Sequence, residues 1–251
     1  MSNKHGIMKN IGFATVTLLA VNSAANAEEY IDGVPLDFSF NAAWVSDYRF
    51  RGVAQSDEKP ALQLGADAIY SLEGFDLYAG IWSSQVDFND GDEARIEIDY
   101  YGGLAFELAD FAFDVGTIYY TYPSASDALN YDFLEYTASV GYEYEGLFAS
   151  YSLNYSPEYF GKSGDAYYNK ASLEYSFYPA LTFSGYVGRQ SIEDNAAFLL
   201  DDYTDWGIGA TYEIEDLFDV SLNFITTNLS DAKCGSDNCD STLVLSVSKS
   251  F

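Results

Sequence analysis

The sequence predicts an all-β protein: a single transmembrane up-and-down antiparallel β-barrel of about twelve strands, with short periplasmic turns and longer extracellular loops. Three observations point there. Segments of about ten residues alternate apolar and polar side chains along most of the chain, the length a tilted strand needs to cross a bilayer. The connections between them alternate between tight and long. The chain also ends on an alternating strand closed by an aromatic residue, Phe251.

The N-terminus carries Lys4 and Lys9, an uncharged stretch from Ile11 to Val21, then Ala25, Asn26 and Ala27. This is the charged, apolar and small-residue order of a secretory signal cut after Ala27. The apolar stretch is shorter than the roughly 20 residues of a spanning helix, which argues against an N-terminal anchor. No Cys lies near the cut to carry a lipid. Residues 1–27 are therefore expected to be a signal peptide and residues 28–251 the barrel domain.

The first strand sets Leu36, Phe38, Phe40, Ala42 and Trp44 against Asp37, Ser39, Asn41 and Ala43. The second opposes Leu62, Leu64, Ala66, Ala68 and Tyr70 to Gln63, Gly65, Asp67 and Ser71, and the third Phe75, Leu77, Ala79 and Ile81 to Asp76, Tyr78, Gly80 and Trp82. In the fourth, Ile96, Ile98, Tyr100, Leu104 and Phe106 oppose Arg95, Glu97, Asp99, Tyr101 and Glu107. Phe111, Phe113 and Val115 follow opposite Asp114 and Gly116, then Leu134, Tyr136, Ala138, Val140 and Tyr142 opposite Glu135, Thr137, Ser139 and Glu143. Leu147 to Asn154, Lys170 to Phe177, Leu181 to Gly188, Asp205 to Ile214 and Phe218 to Phe224 repeat the alternation. The last strand places Leu243, Leu245, Val247 and Phe251 on one face and Ser246, Ser248 and Ser250 on the other, with Val244 the exception. In every case period two gives one oily and one polar face.

Tight connections centre on Glu73-Gly74, Ala109-Asp110, Glu145-Gly146, Pro179-Ala180 and Glu215-Asp216. Long ones cover roughly Gly52 to Lys59, Gln85 to Ala94, Pro123 to Asn130, Pro157 to Ala166, Ser191 to Asp202 and Leu229 to Asp240. Such sorting requires an even strand number with both ends on one side. A secreted β-sandwich also alternates, but has no reason to sort its loops.

Composition sets further bounds. The chain is 18% aromatic with 23 Tyr and only 5 Pro, and its mean hydropathy is −0.10, near neutral as expected when lipid-facing and lumen-facing residues alternate. Cleavage after Ala27 would leave no His and no Met, with 9 basic against 39 acidic residues, a net charge of −30. The absence of His removes Ser-His and Cys-His nucleophile pairs and His-based metal sites. An enzyme would have to work with carboxylates and hydroxyls, and no spacing singles out a carboxylate pair. The negative charge argues against a nucleic-acid partner, which needs a basic footprint.

Val45-Ser46-Asp47-Tyr48-Arg49-Phe50-Arg51-Gly52, Gln55-Ser56, Pro60-Ala61, Leu77-Tyr78-Ala79-Gly80-Ile81-Trp82-Ser83-Ser84 and Glu97-Ile98-Asp99-Tyr100-Tyr101-Gly102-Gly103 resemble the TorF family of porins, formerly grouped as a proteobacterial family of unknown function. The resemblance covers the first four strands and is generic beyond them. It implies an outer-membrane barrel passing small solutes, with a family name that points to trimethylamine N-oxide, and it supplies no site residues.

Candidate pore-lining residues follow from phase. Arg49, Arg51, Arg95, Lys170 and Arg189 are placed in the lumen phase near the outer ends of their strands. The acids Asp67, Asp76, Glu97, Asp99, Asp114 and Glu135 are spread along the wall, with the aromatics Tyr78, Trp82 and Tyr101. Basic residues before an acidic passage would select solutes by charge arrangement. Alternatively, Arg and carboxylate side chains pair across the lumen and fill it, as side chains do in narrower barrels. Lumen aromatics likewise either stack a solute or fill space.

Cys234 and Cys239 read as a local disulfide of an oxidising compartment. The run from Asp87 to Asp92 fails the calcium-loop pattern at Gly91 and Ile98. No cofactor or metal is expected. The expected function is an outer-membrane porin for small hydrophilic solutes, favouring cations or zwitterions; the alternative is a closed or plugged barrel acting in surface interaction or membrane integrity. Expected partners are outer-membrane lipid and lipopolysaccharide, a small polar solute, and the barrel-assembly machinery through the strand ending at Phe251.

Overall fold

The computed structural model describes residues 35–89, 94–215, 217–234 and 237–251. The expected signal peptide and its cleavage site lie outside the described residues. The strands are β1 (Leu36–Val45), β2 (Arg49–Phe50), β3 (Val53–Ala54), β4 (Ala61–Leu72), β5 (Phe75–Gln85), β6 (Ile96–Leu108) and β7 (Phe111–Thr121). They continue with β8 (Phe133–Tyr144), β9 (Leu147–Ser156), β10 (Ala166–Tyr178), β11 (Leu181–Ile192), β12 (Tyr203–Ile214), β13 (Phe218–Thr227) and β14 (Thr242–Ser250).

Twelve of these form one closed antiparallel barrel in the order β1-β14-β13-β12-β11-β10-β9-β8-β7-β6-β5-β4, while β2 and β3 make a separate hairpin. Closure occurs where β1 meets β14, with Trp44 opposite Val247 and Val45 opposite Ser246. The backbones of Phe40 and Phe251 exchange both hydrogen bonds, at 3.2 and 2.8 Å, extending that seam to the final residue. Closure removes the free sheet edges that a bilayer does not tolerate. A strand of ten residues at about 3.3 Å each, tilted by about 40°, covers about 25 Å, the height of an outer-membrane apolar band.

Alternation sorts the faces as the sequence predicts. Phe38, Phe40, Leu62, Leu64, Leu77, Ile81, Leu173, Phe183, Ile208, Leu222 and Leu243 are exposed on the outside. Trp44, Tyr70, Tyr100, Phe111, Tyr142, Tyr175, Phe177 and Trp206 share that exposed face. A band of this size on a solvated protein would be an association site; on a closed barrel it is the lipid contact. Val244, the sequence-level exception, points inward and is buried. The tight turns are two residues long at 73–74, 109–110, 145–146 and 179–180, while β12 ends at Ile214 and β13 begins at Phe218, with Asp216 of the expected Glu215-Asp216 turn outside the described residues. Glu145 and Gly146 both have positive φ, 47° and 79°, the backbone a two-residue hairpin turn needs to match strand twist.

The buried hydrophobic core lies inside the end of the barrel that carries the long loops. Loop and strand-end rings pack there against each other: Tyr131 stacks on Phe160 at 4.3 Å, Tyr120 on Phe133 at 4.3 Å, and Phe88 meets Tyr122, Tyr131 and Phe160 edge-on or tilted at 5.5–5.7 Å. Phe198 of the loop after β11 joins at Tyr159 and Phe160.

Candidate functional site

The segment between β1 and β4, residues 46–60, turns into the lumen instead of out. Asp47, Tyr48, Arg49, Arg51, Ala54 and Ser56 are all buried. Its shape is set locally: Ser56 Oγ accepts from the Tyr48 backbone N–H at 3.0 Å and donates to the Lys59 carbonyl at 2.6 Å. Gln55 N–H donates to the Tyr48 carbonyl at 2.7 Å. The reversal needs Gly52 at φ 83°, and a Cβ there would strike Asp205 and Thr227 on the wall. Arg51 itself holds φ 49°, a conformation that costs a bulky side chain energy and persists where its contacts compensate.

Those contacts cross the lumen. Arg51 Nη2 donates to both oxygens of Glu135 on β8, at 2.8 and 2.6 Å, and Nη1 to Gln190 Oε1 on β11 at 2.8 Å. Its guanidinium lies 4.4 Å from the Tyr168 ring centre on β10 and 4.6 Å from that of Phe50. Tyr120 and Asn154 also donate to Glu135 Oε2, at 3.2 and 3.3 Å. Arg49 holds the loop on the opposite flank through Asp47 at 2.5 Å, Glu58 at 3.0 Å and the carbonyl of Asn238 at 2.7 Å. Burial pushes the Asp47 carboxyl up despite the Arg49 guanidinium beside it. At the rim, Lys59 bridges Asp57 at 2.9 Å and Asp87 at 2.8 Å, and its hydrogen bond holds the Asp87 carboxyl below the usual range.

The loop also meets β5 and β6. Tyr48 packs edge-on against Trp82 at 5.5 Å and donates to Glu97 Oε1 at 3.3 Å. Glu97 and Asp99, both inward on β6, are buried to 1% and 0% exposure. Below this level the wall carries a second set of phenol and carboxylate pairs. Tyr101 donates to Asp67 at 2.5 Å and Tyr78 to Asp114 at 3.1 Å. At the level of the loop itself, Tyr168 donates to both oxygens of Asp205 at 3.1 Å, while Lys170 lies over the Tyr186 ring at 4.8 Å. Asp76 lies half-buried near the tight-turn end, opposite Ser71 and Ala105.

Glu97, Asp99, Asp114, Glu135, Trp82 and Tyr101 thus sit buried inside, with Asp67, Asp76, Tyr78 and Lys170 partly buried in the same phase. Four expected placements need correction. Arg49 and Arg51 belong to the inward loop, not to strand ends on the wall, because β1 stops at Val45. Arg189 shares the outward phase of Phe183 and Val187, is 47% exposed, and faces Asp202 and Thr204. Arg95 precedes β6 and is exposed in its loop, its N–H donating to Ser124 Oγ at 2.7 Å.

Asn154 and Asp205 fall on the polar face by phase but are not among the pore-lining candidates, and Asp47, Tyr48, Tyr120 and Gln190 are not singled out as candidates at all; the structure brings all six to the same level. The available signal was a run of inward polar residues at the outer ends of strands. Cys234 and Cys239 are disulfide-bonded, closing the loop whose carbonyls receive Arg49. Among the described residues no group of three His, Cys, Asp or Glu side chains is placed to hold a metal ion. Part of the Asp87–Asp92 run lies outside the described residues.

The barrel is similar to solved outer-membrane channels at low sequence identity. The NanC porin aligns with a TM-score of 0.54 at 8% identity over 84% of this chain and 98% of that one. The KdgM porin gives 0.54 at 12% over 85% and 99%. An outer-membrane channel from Pseudomonas putida F1 gives 0.53 at 9% over 87% and 97%. No curated protein matches the sequence. A model of the bacterial family of unknown function Gcw_chp matches residues 30–251, and the chain belongs to that family.

Proposed function

We propose that the protein is a non-enzymatic outer-membrane channel for small hydrophilic solutes, with residues 46–60 as its constriction and with a preference for cations or zwitterions. The observation that carries this is the charge of the interior. Asp67, Asp76, Asp114, Glu174, Asp205 and Asp219 line it in the inward phase, against Lys170 as the one inward cation of the wall strands among the described residues. The two arginines of the loop are already matched by Asp47 and Glu135. A narrow passage with low-dielectric walls focuses such a field and raises the local concentration of positive groups. Similarity in fold to porins supports conduction, and the TorF resemblance makes trimethylamine N-oxide the first zwitterion to try. Proposed partners remain lipid, lipopolysaccharide and the barrel-assembly machinery at the Phe251 strand.

The test is the reversal potential of the refolded mature chain under a potassium chloride gradient, with liposome swelling in trimethylamine N-oxide. A cation-directed potential is expected; an anion-directed one would overturn the charge preference. The buried loop favours a second reading, a plugged barrel acting at the surface, which predicts no swelling in any small solute.

A further inference from the structure

The carboxylates of Glu97 and Asp99 stand two residues apart on β6, so both project inward. Asp99 lies between its cross-strand partners Trp82 on β5 and Tyr120 on β7, and Glu97 opposite Ser84. Glu97 Oε1 accepts from Tyr48, yet Glu97 Oε2 and both Asp99 oxygens accept no hydrogen bond from the described residues. The titratable groups facing the pair are the phenols of Tyr48 on the loop, Tyr101 on β6, Tyr120 on β7, Tyr122 and Tyr159 beyond the strand ends, and the Glu135 carboxylate on β8. The nearby cation, Arg51, is already bidentate on Glu135. Burial, with Glu97 and Asp99 close by, holds the Tyr48 phenol well above its ordinary value, so it stays a donor.

Two adjacent buried carboxylates, with no free cation facing them among the described residues, do not both ionise. We infer that Glu97 and Asp99 form a proton-operated latch on the inward loop: the closed arrangement holds protonated carboxyl in the pair, and losing that proton drives Tyr48 and the loop out toward water. The force is mutual repulsion plus the hydration an ionised pair gains only when the loop leaves. The direction is fixed by linkage, since the closed state binds more protons and is therefore lost as pH rises. The inference rests on the channel reading for its consequence, not for its geometry.

The chain has three tryptophans, and Trp44 and Trp206 face lipid. Substituting both by Phe leaves Trp82, in contact with Tyr48, as the reporter of the loop. Acrylamide quenching of Trp82 and single-channel open probability are followed from about pH 5 to about pH 9 in the refolded mature chain. Both should rise with pH, by up to about tenfold per pH unit for one proton. Glu97→Gln with Asp99→Asn should hold both low throughout, while Tyr48→Phe, which keeps the ring and removes the donor, should move the rise to lower pH. A heat-modifiable band on electrophoresis certifies folding of each variant. A pH response unchanged in Glu97→Gln with Asp99→Asn, or in Tyr48→Phe should the first fail to fold, would overturn the latch. A barrel that never conducts but whose Trp82 quenching titrates through the pair would overturn the channel reading and support the latch. A conducting barrel with pH-independent quenching would do the reverse.

Discussion

Replacing Arg51 with Ala removes the group that ties the inward loop to the far wall. Three charged hydrogen bonds at 2.6–2.8 Å are lost, together with the guanidinium faces on Tyr168 and Phe50. Glu135 then stays buried with only Tyr120 and Asn154 as donors. Breaking a buried pair from one side typically costs about 3–5 kcal/mol, and the two surviving donors put the loss near the lower end, about 3 kcal/mol. On the channel reading, in which the loop leaves while the barrel stays folded, this acts on the closed-to-open equilibrium, a shift of about a hundredfold. Glu135→Gln keeps an acceptor for Arg51 and should cost less, about 1–2 kcal/mol. The assay is open probability in planar bilayers for wild type, each single variant and the double variant, arranged as a cycle. Opening equal to wild type in Arg51→Ala, or full additivity of the two changes, would refute the role of this pair in holding the loop.

Gly103→Val should lower the temperature of the heat-modifiable transition by a destabilisation of about 1–3 kcal/mol, because a Cβ there would lie 2.6 Å from the backbone oxygen of Val115 and against the Tyr78 ring. Gly185→Ala, whose Cβ would meet nothing closer than 3.7 Å, should leave that temperature unchanged. Cys234→Ser with Cys239→Ser removes a constraint of about 2 kcal/mol on a short loop. It should raise open probability less than Arg51→Ala, because Arg49 reaches the carbonyls of Asn238 and Asp240 in that loop. Lys59 holds the Asp87 value down, so the bridge contributes above the unfolded value of about 3.9 and is lost as pH falls through the lower folded value. Protease protection of residues 46–60 should therefore exceed that of Lys59→Ala at neutral pH, and the difference should vanish in stronger acid.

The barrel was legible because its two governing signals are local. Lipid and lumen alternate with period two, and hairpin turns need residues such as Glu145-Gly146 that accept positive φ. Even Val244 declared itself as out of pattern, and the structure buries it inside. The inward loop was not legible. Alternation says which face Glu135 or Gln190 takes, but not that Arg51, 84 residues before Glu135 in sequence, crosses to it. Arg49 and Arg51 follow β1 closely enough to look like its continuation, whereas Asp47 and Ser56 end the strand by offering side-chain partners to the turn. Arg189 was misplaced for a simpler reason: counted from Phe183 and Val187 it lies on the outer face. Of the two readings open for the interior charges, pairing across the lumen describes Arg51, and the acids lower in the wall, which meet phenols such as Tyr101 and Tyr78 and not cations, leave room for selection.

Single-channel conductance of refolded residues 28–251, measured beside a variant in which residues 46–60 are replaced by a short Gly-Ser linker, decides whether this barrel is a channel constricted by its first loop. Small or intermittent steps in the wild type and large, steady steps in the variant are expected. A correctly folded variant that passes no current would contradict the channel.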